Sequence, residues 1–186
     1  MGSSDQSQTQ ATTTSGSGSS QDSKQLASEV AQKEQELAQA RSQLPSSDQT
    51  TQAHHDDVTL AAFTLQSAST VVPAHSTELD QIATQLQSSL STESQAETQI
   101  NQRTGIVRIL IGGDRAAANQ VETVANSYDD MITQLQNIAD SPDVSTGARV
   151  ILQDQITRLT AEHERLHALA DSEKMDTGIF GGFLGG

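Results

Sequence analysis

Apolar residues in the second half of the chain recur at alternating spacings of four and three. The first run of such positions is Ala117, Val121, Val124, Tyr128, Met131, Leu135 and Ile138. After a break at 140–143, the spacing returns at Leu152, Ile156, Leu159, His163, Leu166 and Ala170. This repeat is typical of helices that bury one narrow stripe. It predicts two long helices joined by a short turn.

Short polar residues mark where these two helices begin. Asp114 has the side chain of an N-cap for a helix over 114–139. Ser141, Pro142 and Asp143 suit the N-cap, N1 and N2 positions of the last helix. On that helix, the charge pairs Asp154/Arg158 and Glu162/Arg165 are predicted to lie on the exposed face.

The first half of the chain predicts further helices with weaker patterns. Positions Leu26, Val30, Lys33, Leu37, Ala40 and Leu44 predict a helix over 23–44 that Pro45 ends. A second helix is predicted over 56–72, and Pro73 breaks or kinks it before Ser76. The pattern then fades, because 91–99 offers only Ala96 to a core, which predicts a solvent-bridging or frayed stretch.

The most apolar run of the chain body is 105–113, which reads Gly-Ile-Val-Arg-Ile-Leu-Ile-Gly-Gly. Its β-branched residues are compatible with a strand, but no second strand is available to pair with it. We interpret it as a buried helical segment or connector that Gly112 and Gly113 terminate. The glycine pair lacks the spacing and the Lys-Ser/Thr of a phosphate-binding loop.

Composition favours a helical fold over a compact α/β enzyme. Of 186 residues, 33% are hydrophobic and 2% aromatic, which suffices for narrow helical stripes but is low for a large core. The predicted fold class is all-α: an elongated antiparallel helical bundle or coiled coil. The predicted organisation is a disordered tail (1–22), N-terminal helices with the apolar connector (23–111), a helical hairpin (112–172) and a flexible, glycine-rich apolar tail (173–186).

Charge and targeting features narrow the function classes. The net charge of −14 opposes binding to nucleic acid and to anionic lipid surfaces. There are no cysteines, which removes disulfides and thiolate metal sites. The chain shows neither a signal peptide nor an apolar window of 18 residues, so we expect a cytoplasmic protein.

The sharpest chemical motif is His163-Glu164-Arg165-Leu166-His167, a literal H-E-x-x-H on a predicted helix. The spacing of four puts both imidazoles on one face, where they can bind zinc while Glu164 acts as the base. A zinc hydrolase needs a third ligand, and mainly the apolar tail follows His167. Ala170 and Glu173 occupy the Gly and His positions of the longer metzincin motif. The zinc hydrolase therefore stays an alternative.

Two other groups of residues are candidate metal ligands. The run His54-His55-Asp56-Asp57 can complete a site with the last helix, but its position predicts a loop that enters a helix. Glu93 and Glu97 have the spacing of bundle carboxylates, yet a ferritin-like site needs Glu-x-x-His on two helices. Glu164/His167 is the single pair with that spacing. The sequence therefore assigns no catalytic residue, no metal and no cofactor.

The C-terminal residues 178–186 combine five glycines with four bulky apolar side chains. These side chains are the predicted partner-binding residues: Ile179, Phe180, Phe183 and Leu184. The tail either folds back on the bundle or stays disordered, docks into a groove of a partner, or contacts a membrane.

Short runs in the hairpin and tail carry a family resemblance. They are Gly112-Gly113-Asp114-Arg115 with Ala116-Ala117, Leu152-Gln153-Asp154-Gln155-Ile156, Glu164-Arg165-Leu166 and the Gly-Ile-Phe-Gly of the C-terminal end. Over about residues 112–186 the chain resembles the C-terminal module of small uncharacterised archaeal proteins. The resemblance implies a helical hairpin, an archaeal source and an adhesive tail, and it implies no activity.

Together these patterns predict a non-enzymatic interaction or scaffold protein. It would act by self-association as a homo-oligomer, or by docking a helix or its tail on a protein partner. Polar residues at the stripe positions Lys33 and His163 favour specific pairing over maximal stability. Besides the zinc hydrolase, the alternative is a peripheral membrane protein bound through the tail.

Overall fold

The structure, a computed structural model, describes residues 17–103 and 105–179, and these residues are helical with no strand. The elements are α1 (Ser17–Ser42), α2 (Ser46–Val71), a 3-10 turn (Pro73–His75), α3 (Ser76–Gln102), α4 (Ile106–Ile111), α5 (Arg115–Asp140) and α6 (Thr146–Met175). The predicted all-α fold is confirmed. Of the predicted N-terminal tail, 1–16 lie outside the described residues.

Four of the helices form a closed ring. Helix α2 contacts α3, α3 contacts α5, α5 contacts α6, and α6 contacts α2, while α1 lies against α2 and α6. Short connections join α1 to α2, α2 to α3, and α5 to α6, so these neighbours run antiparallel. The result is a four-helix bundle with a fifth long helix on one side.

Helix α5 follows its predicted pattern closely. All seven of its stripe residues are buried, from Ala117 to Ile138. Asp114 is its N-cap, because the carboxylate accepts hydrogen bonds from the backbone N–H groups of Ala116 and Ala117, each at 3.1 Å. Helix ends leave such N–H groups without partners, and the cap supplies them.

Helix α6 differs from its prediction in where it starts and in what it buries. Its N-cap is Ser145, not Ser141. Leu152, Leu159, Leu166 and Ala170 are buried as predicted, but Gln155 and Glu162 are buried beside them, and His163 is only half-buried. Because α6 contacts α1, α2 and α5, its buried face is wider than one stripe and includes these polar positions.

Helices α2 and α3 are longer than the sequence suggests. Helix α2 starts at Ser46, so the run 54–57 lies inside a helix, and its prediction as a loop entering a helix is wrong. Helix α3 continues through the stretch predicted to fray or bridge solvent, where Glu93, Ala96 and Glu97 are buried. The stretch buries carboxylates in place of apolar groups, which hydrophobic periodicity alone does not register.

The apolar run forms α4, which is helical as predicted but is not buried. Ile106 is 74% exposed, and Ile109 is 58% exposed. Gly112, at φ +88°, lets the backbone of α4 meet the end of α6, since a Cβ here would collide with the Asp176 carbonyl oxygen. A Cβ at Gly113 would likewise collide with the Glu173 carbonyl oxygen. Both glycines therefore hold α4 against α6.

Candidate functional site

Six polar side chains from all four ring helices meet inside the bundle. We call them the polar cluster: His55 of α2, Glu93 and Glu97 of α3, Tyr128 of α5, and Glu162 and Arg165 of α6. Glu93 and Tyr128 are fully buried, and Glu97 and Glu162 are 5% and 2% exposed. Buried carboxylates are costly unless they are paired, so their partners decide what the cluster does.

Arg165 is the cation at the centre of the polar cluster. Its Nη2 lies 3.0 Å from Glu93 Oε1 and 2.6 Å from Glu97 Oε1. Its Nε donates to both carboxylate oxygens of Glu162, at 2.8 and 2.9 Å. One guanidinium thus faces three carboxylates, and the pair Glu162/Arg165 is not the exposed surface pair that the sequence predicted.

Two further donors approach the carboxylates of α3. The Tyr128 hydroxyl donates to Glu93 Oε2 at 2.8 Å. His55 Nε2 lies 3.0 Å from Glu97 Oε2 and 3.5 Å from Glu93 Oε1. At the edge of the cluster, His54 Nδ1 lies 3.2 Å from Glu162 Oε2. Both histidines of the run 54–57 in α2 therefore contact the polar cluster.

The surroundings make Glu93 the proton-holding member of the cluster. Burial and, after it, the nearby charge of Glu162 raise the pKa of Glu93 from 4.5 to about 8, against the hydrogen bond from Tyr128. Burial together with the charge of Glu93 also raises the pKa of Tyr128. At neutral pH the tyrosine therefore keeps its proton, and Glu93 favours its protonated form.

The His55–Glu97 contact acts in the other direction. The hydrogen bond to Glu97 raises the pKa of His55 above 6.5, although burial opposes it. Burial acts to raise the pKa of Glu97, but the hydrogen bond from His55 and the charge of Arg165 outweigh it, and the pKa falls below 4.5. Both shifts favour the charged forms, an imidazolium beside a carboxylate.

The geometry of the cluster also suits a metal ion. Within the described ranges, one group of three or more ligating side chains converges: His55, Glu93 and Glu97, whose ligand atoms all lie within 4.8 Å of one another. The sequence singled out both parts, the run 54–57 and the pair Glu93/Glu97, but in different contexts. Spacing along one helix carries no signal that two helices will face each other at these residues.

The H-E-x-x-H motif lies elsewhere. His163 and His167 contact each other edge to face, with ring centroids 4.6 Å apart, and Glu164 is exposed. Neither imidazole belongs to the converging group, which is the one such group in the part of the chain that the structure describes. The structure therefore does not bring a third ligand to this motif among the described residues.

The second candidate site is at the end of the bundle where α4 lies. We call it the apolar end, and its exposed residues are Ile106, Val107, Ile109, Leu110, Ile111, Met175 and Ile179. A groove of about 480 Å³ runs between α4 and the chain that follows α6, lined by Gly105, Arg108, Ile109, Asp176, Gly178 and Ile179. Contiguous exposed apolar groups of this kind mark binding surfaces in soluble proteins.

Several contacts fix the apolar end to the bundle. Arg108 donates to Glu173 Oε1 at 2.7 Å and to Asp176 Oδ2 at 2.9 Å. Buried Glu173 also accepts from the backbone N–H of Asp114 at 3.1 Å. The backbone N–H of Ile179 donates to the Ile109 carbonyl at 2.9 Å. Helix α4 is therefore held in place by its polar contacts, while its apolar side chains face outward.

The predicted partner-binding residues fall partly within this surface. Ile179 is 64% exposed and belongs to the apolar end. Phe180, Phe183 and Leu184 lie outside the described residues. The sequence did not select α4 as a binding surface, because its apolar run was interpreted as buried. Lys33, which the sequence predicted together with His163 to be a polar residue in a buried stripe, is half-buried, and it pairs with Glu36 of its own helix at 3.2 Å.

Comparison with known proteins assigns no family to the chain. No protein-family model, curated protein or solved structure matches it. Among the described residues, none of the helices combines the length and apolar content needed to cross a membrane.

Proposed function

We propose that this protein is a non-enzymatic interaction protein that associates through its apolar end, with a second copy of the chain as the partner. The observation that carries the proposal is the exposure of α4: five of its six residues are apolar, and Arg108 ties the helix to α6, yet Ile106 is 74% and Ile109 is 58% exposed. Burying such side chains contributes about 1.5–3 kcal/mol each before ordering costs are subtracted.

The distribution of charge supports self-association at this end. The whole chain carries −14, so two copies repel each other over most of their surfaces. Residues 101–115 and 171–179, which form this end, contain four basic and four acidic side chains, a net charge of zero. Contact between two apolar ends therefore places the acidic bodies far apart and buries the apolar groups where repulsion is weakest.

The test is the light-scattering mass of the full chain after gel filtration, compared with Ile106→Asp. Both the wild type and the variant are loaded over a range of concentrations at physiological salt. We expect the wild type to reach the mass of a dimer and Ile106→Asp to stay a monomer, because the substitution puts a charge into the buried contact.

A matched control separates this contact from general surface stickiness. Val150, near the start of α6, is 61% exposed and lies at the opposite end of the bundle. Val150→Asp also adds one negative charge near a helix N-terminus, and we expect it to dimerise like the wild type. A monomeric wild type at all concentrations overturns self-association. Equal loss of mass in both variants overturns the assignment to α4.

A further inference from the structure

We propose that His55, Glu93 and Glu97 bind one divalent transition-metal ion inside the bundle, and that Nη2 of Arg165 is the group that gives way to it. The proposal is independent of self-association through the apolar end. It assigns a binding site to a part of the molecule that the proposed function does not use.

The donor set is the first support. One imidazole nitrogen and two carboxylates converge from two helices, with their ligand atoms within 4.8 Å of one another. Imidazole with carboxylate suits Zn²⁺, Fe²⁺, Co²⁺ and Mn²⁺, which accept mixed nitrogen and oxygen ligands. The carboxylates are buried, so the site is not a loose group of surface acids.

An acceptor without a hydrogen bond is the second support. Glu97 is 5% exposed and points its Oε1 into the cluster, where no donor of the described residues forms a hydrogen bond with it. Its neighbour there is Arg165 Nη2, an ion-pair contact at 2.6 Å. A metal ion between His55 and Glu93 would replace the Arg165 guanidinium as the cation at this oxygen.

The arrangement of Arg165 makes the exchange feasible. Its Nε keeps two contacts with Glu162, on the same helix one turn away, and these contacts do not involve the α3 carboxylates. Only Nη2 reaches Glu93 and Glu97, and it also donates to Glu162 Oε1, so displacement of Nη2 breaks one of the three contacts with Glu162 and leaves the two from Nε. The Arg165 side chain is 23% exposed and that of His55 is 15% exposed, so the cluster is open toward solvent on this side.

Tyr128 supports the proposed ligands from behind. Its hydroxyl donates to Glu93 Oε2 and leaves Oε1 directed at His55 and Arg165. Partners of this kind orient ligating carboxylates, and their removal weakens metal binding about 10- to 100-fold. Tyr128 is therefore a positioning residue of the proposed site.

The experiment titrates chelator-washed full-length protein with Co²⁺, followed by visible absorption, and with Zn²⁺, followed by calorimetry. We expect one ion per chain for the wild type. Glu97→Gln and His55→Ala should abolish saturable binding, and Tyr128→Phe should weaken it about 10- to 100-fold. Arg165→Met should bind more tightly, because the competing cation is gone.

The control is the double variant His163→Ala/His167→Ala, which removes the H-E-x-x-H imidazoles and leaves the polar cluster intact. We expect it to bind as the wild type does. Circular dichroism reports whether each variant folds, and the wild type and the double variant remain decisive if Arg165→Met or His55→Ala does not. The proposal is overturned by a wild type that shows no saturable binding, by unchanged binding in Glu97→Gln, or by loss of binding in the double variant.

Discussion

The two halves of the bundle are held together by different forces. The half toward the α5–α6 connection, which we call the apolar half, is filled by large aliphatic side chains: Leu65, Leu79, Ile82, Leu86, Met131, Leu135, Leu152 and Leu159. The half toward α4, which we call the polar half, also buries aliphatic residues such as Val121 and Leu166, but it holds the buried charged groups of the described residues: Asp56, Glu93, Glu97, Asp114, Glu162 and Glu173. The same helices therefore run from an aliphatic interior into one that also contains buried charges.

This difference separates the scaffold from the proposed sites. Aliphatic packing is non-directional and indifferent to pH, so the apolar half supplies a stable base. Buried ion pairs contribute less net stability than apolar residues of similar size, because desolvation offsets their attraction. Their concentration in the polar half, beside the outward-facing α4, suggests that this half is shaped by binding rather than by stability.

The largest effect that tests the comparison is expected from Arg165→Met. Removing the guanidinium leaves buried Glu162 without the donor to both of its oxygens and Glu97 with His55 as its remaining partner, which should cost about 3–5 kcal/mol of unfolding free energy. Arg158 is the matched control, since it also contacts three carboxylates, but these are 43–54% exposed. Arg158→Met should cost about 1 kcal/mol or less in urea unfolding. Equal costs would contradict a special role for the polar cluster.

Truncating a core side chain in the apolar half should lower the unfolding free energy by nearly as much, and this loss should not depend on pH. Leu135 is fully buried, and Leu135→Ala should lower the unfolding free energy by about 2–5 kcal/mol through lost burial and a cavity. Measured by urea unfolding, the cost should be the same at pH 5.5 and pH 8. A cost that changes strongly with pH would mean that the two halves are not separable.

The pH dependence of stability should come from the polar cluster, measured by urea unfolding in the presence of a chelator. The pKa of Glu93 is raised to about 8 and that of His55 is raised above 6.5, so the folded state holds these protons more tightly than the unfolded state. Their stabilisation is present at low pH and is lost as pH rises through these raised values. Stability should fall from pH 5.5 to 8, by up to about 1.4 kcal/mol per pH unit for each group.

Two features sharpen this pH prediction. The lowered pKa of Glu97 has the opposite sign, so its stabilisation is present above pH 4.5 and is lost on further acidification. Maximum stability is therefore expected at about pH 4.5, where these two opposite trends meet. Glu93→Gln should flatten the decline above pH 6, whereas Glu164→Gln, at an exposed position of α6, should leave it unchanged. A decline that persists in Glu93→Gln would assign it to other groups.

The smallest effect is expected at the start of α5. Asp114→Ala removes the N-cap and the ion pair to Arg103 at 3.0 Å, and it should cost about 0.5–2 kcal/mol in thermal or urea unfolding. Asp114→Asn keeps a capping oxygen and should lose only the charge contribution. If both variants cost the same, the ion pair and not the cap stabilises this end of the polar half.

Hydrophobic periodicity predicted the buried apolar stripe of α5 along both halves of the bundle, but it missed the buried carboxylates of the polar half. The predicted buried stripe of α5 was correct from Ala117 to Ile138, because apolar residues at alternating spacings of four and three can all be buried only on one face of a helix. In α3, Glu93 and Glu97 looked like solvated residues, since burial of a carboxylate depends on partners that other helices contribute. Arg165 of α6 and His55 of α2 are such partners, and the sequence around Glu93 and Glu97 does not predict these contacts.

The apolar end shows the converse difficulty. The apolar composition of Ile106–Ile111 predicts that these residues are buried. The sequence does not indicate whether the surface that covers them belongs to the same chain. Glycines 112 and 113 gave the break that was predicted, but their close approach to Asp176 and Glu173 depends on the tertiary fold. The sequence therefore predicted the helical segment and the glycine break, and its prediction that the segment is buried was wrong.

The central claim is that two copies meet end to end through α4, and small-angle X-ray scattering tests it most directly. Helix α5, with 26 residues, is about 39 Å long, and an end-to-end dimer nearly doubles the long dimension of the particle. The account predicts that the maximum dimension of the wild type is close to twice that of Ile106→Asp and equal to that of Val150→Asp. A wild-type particle no longer than Ile106→Asp, whether monomeric or paired side by side, would contradict it.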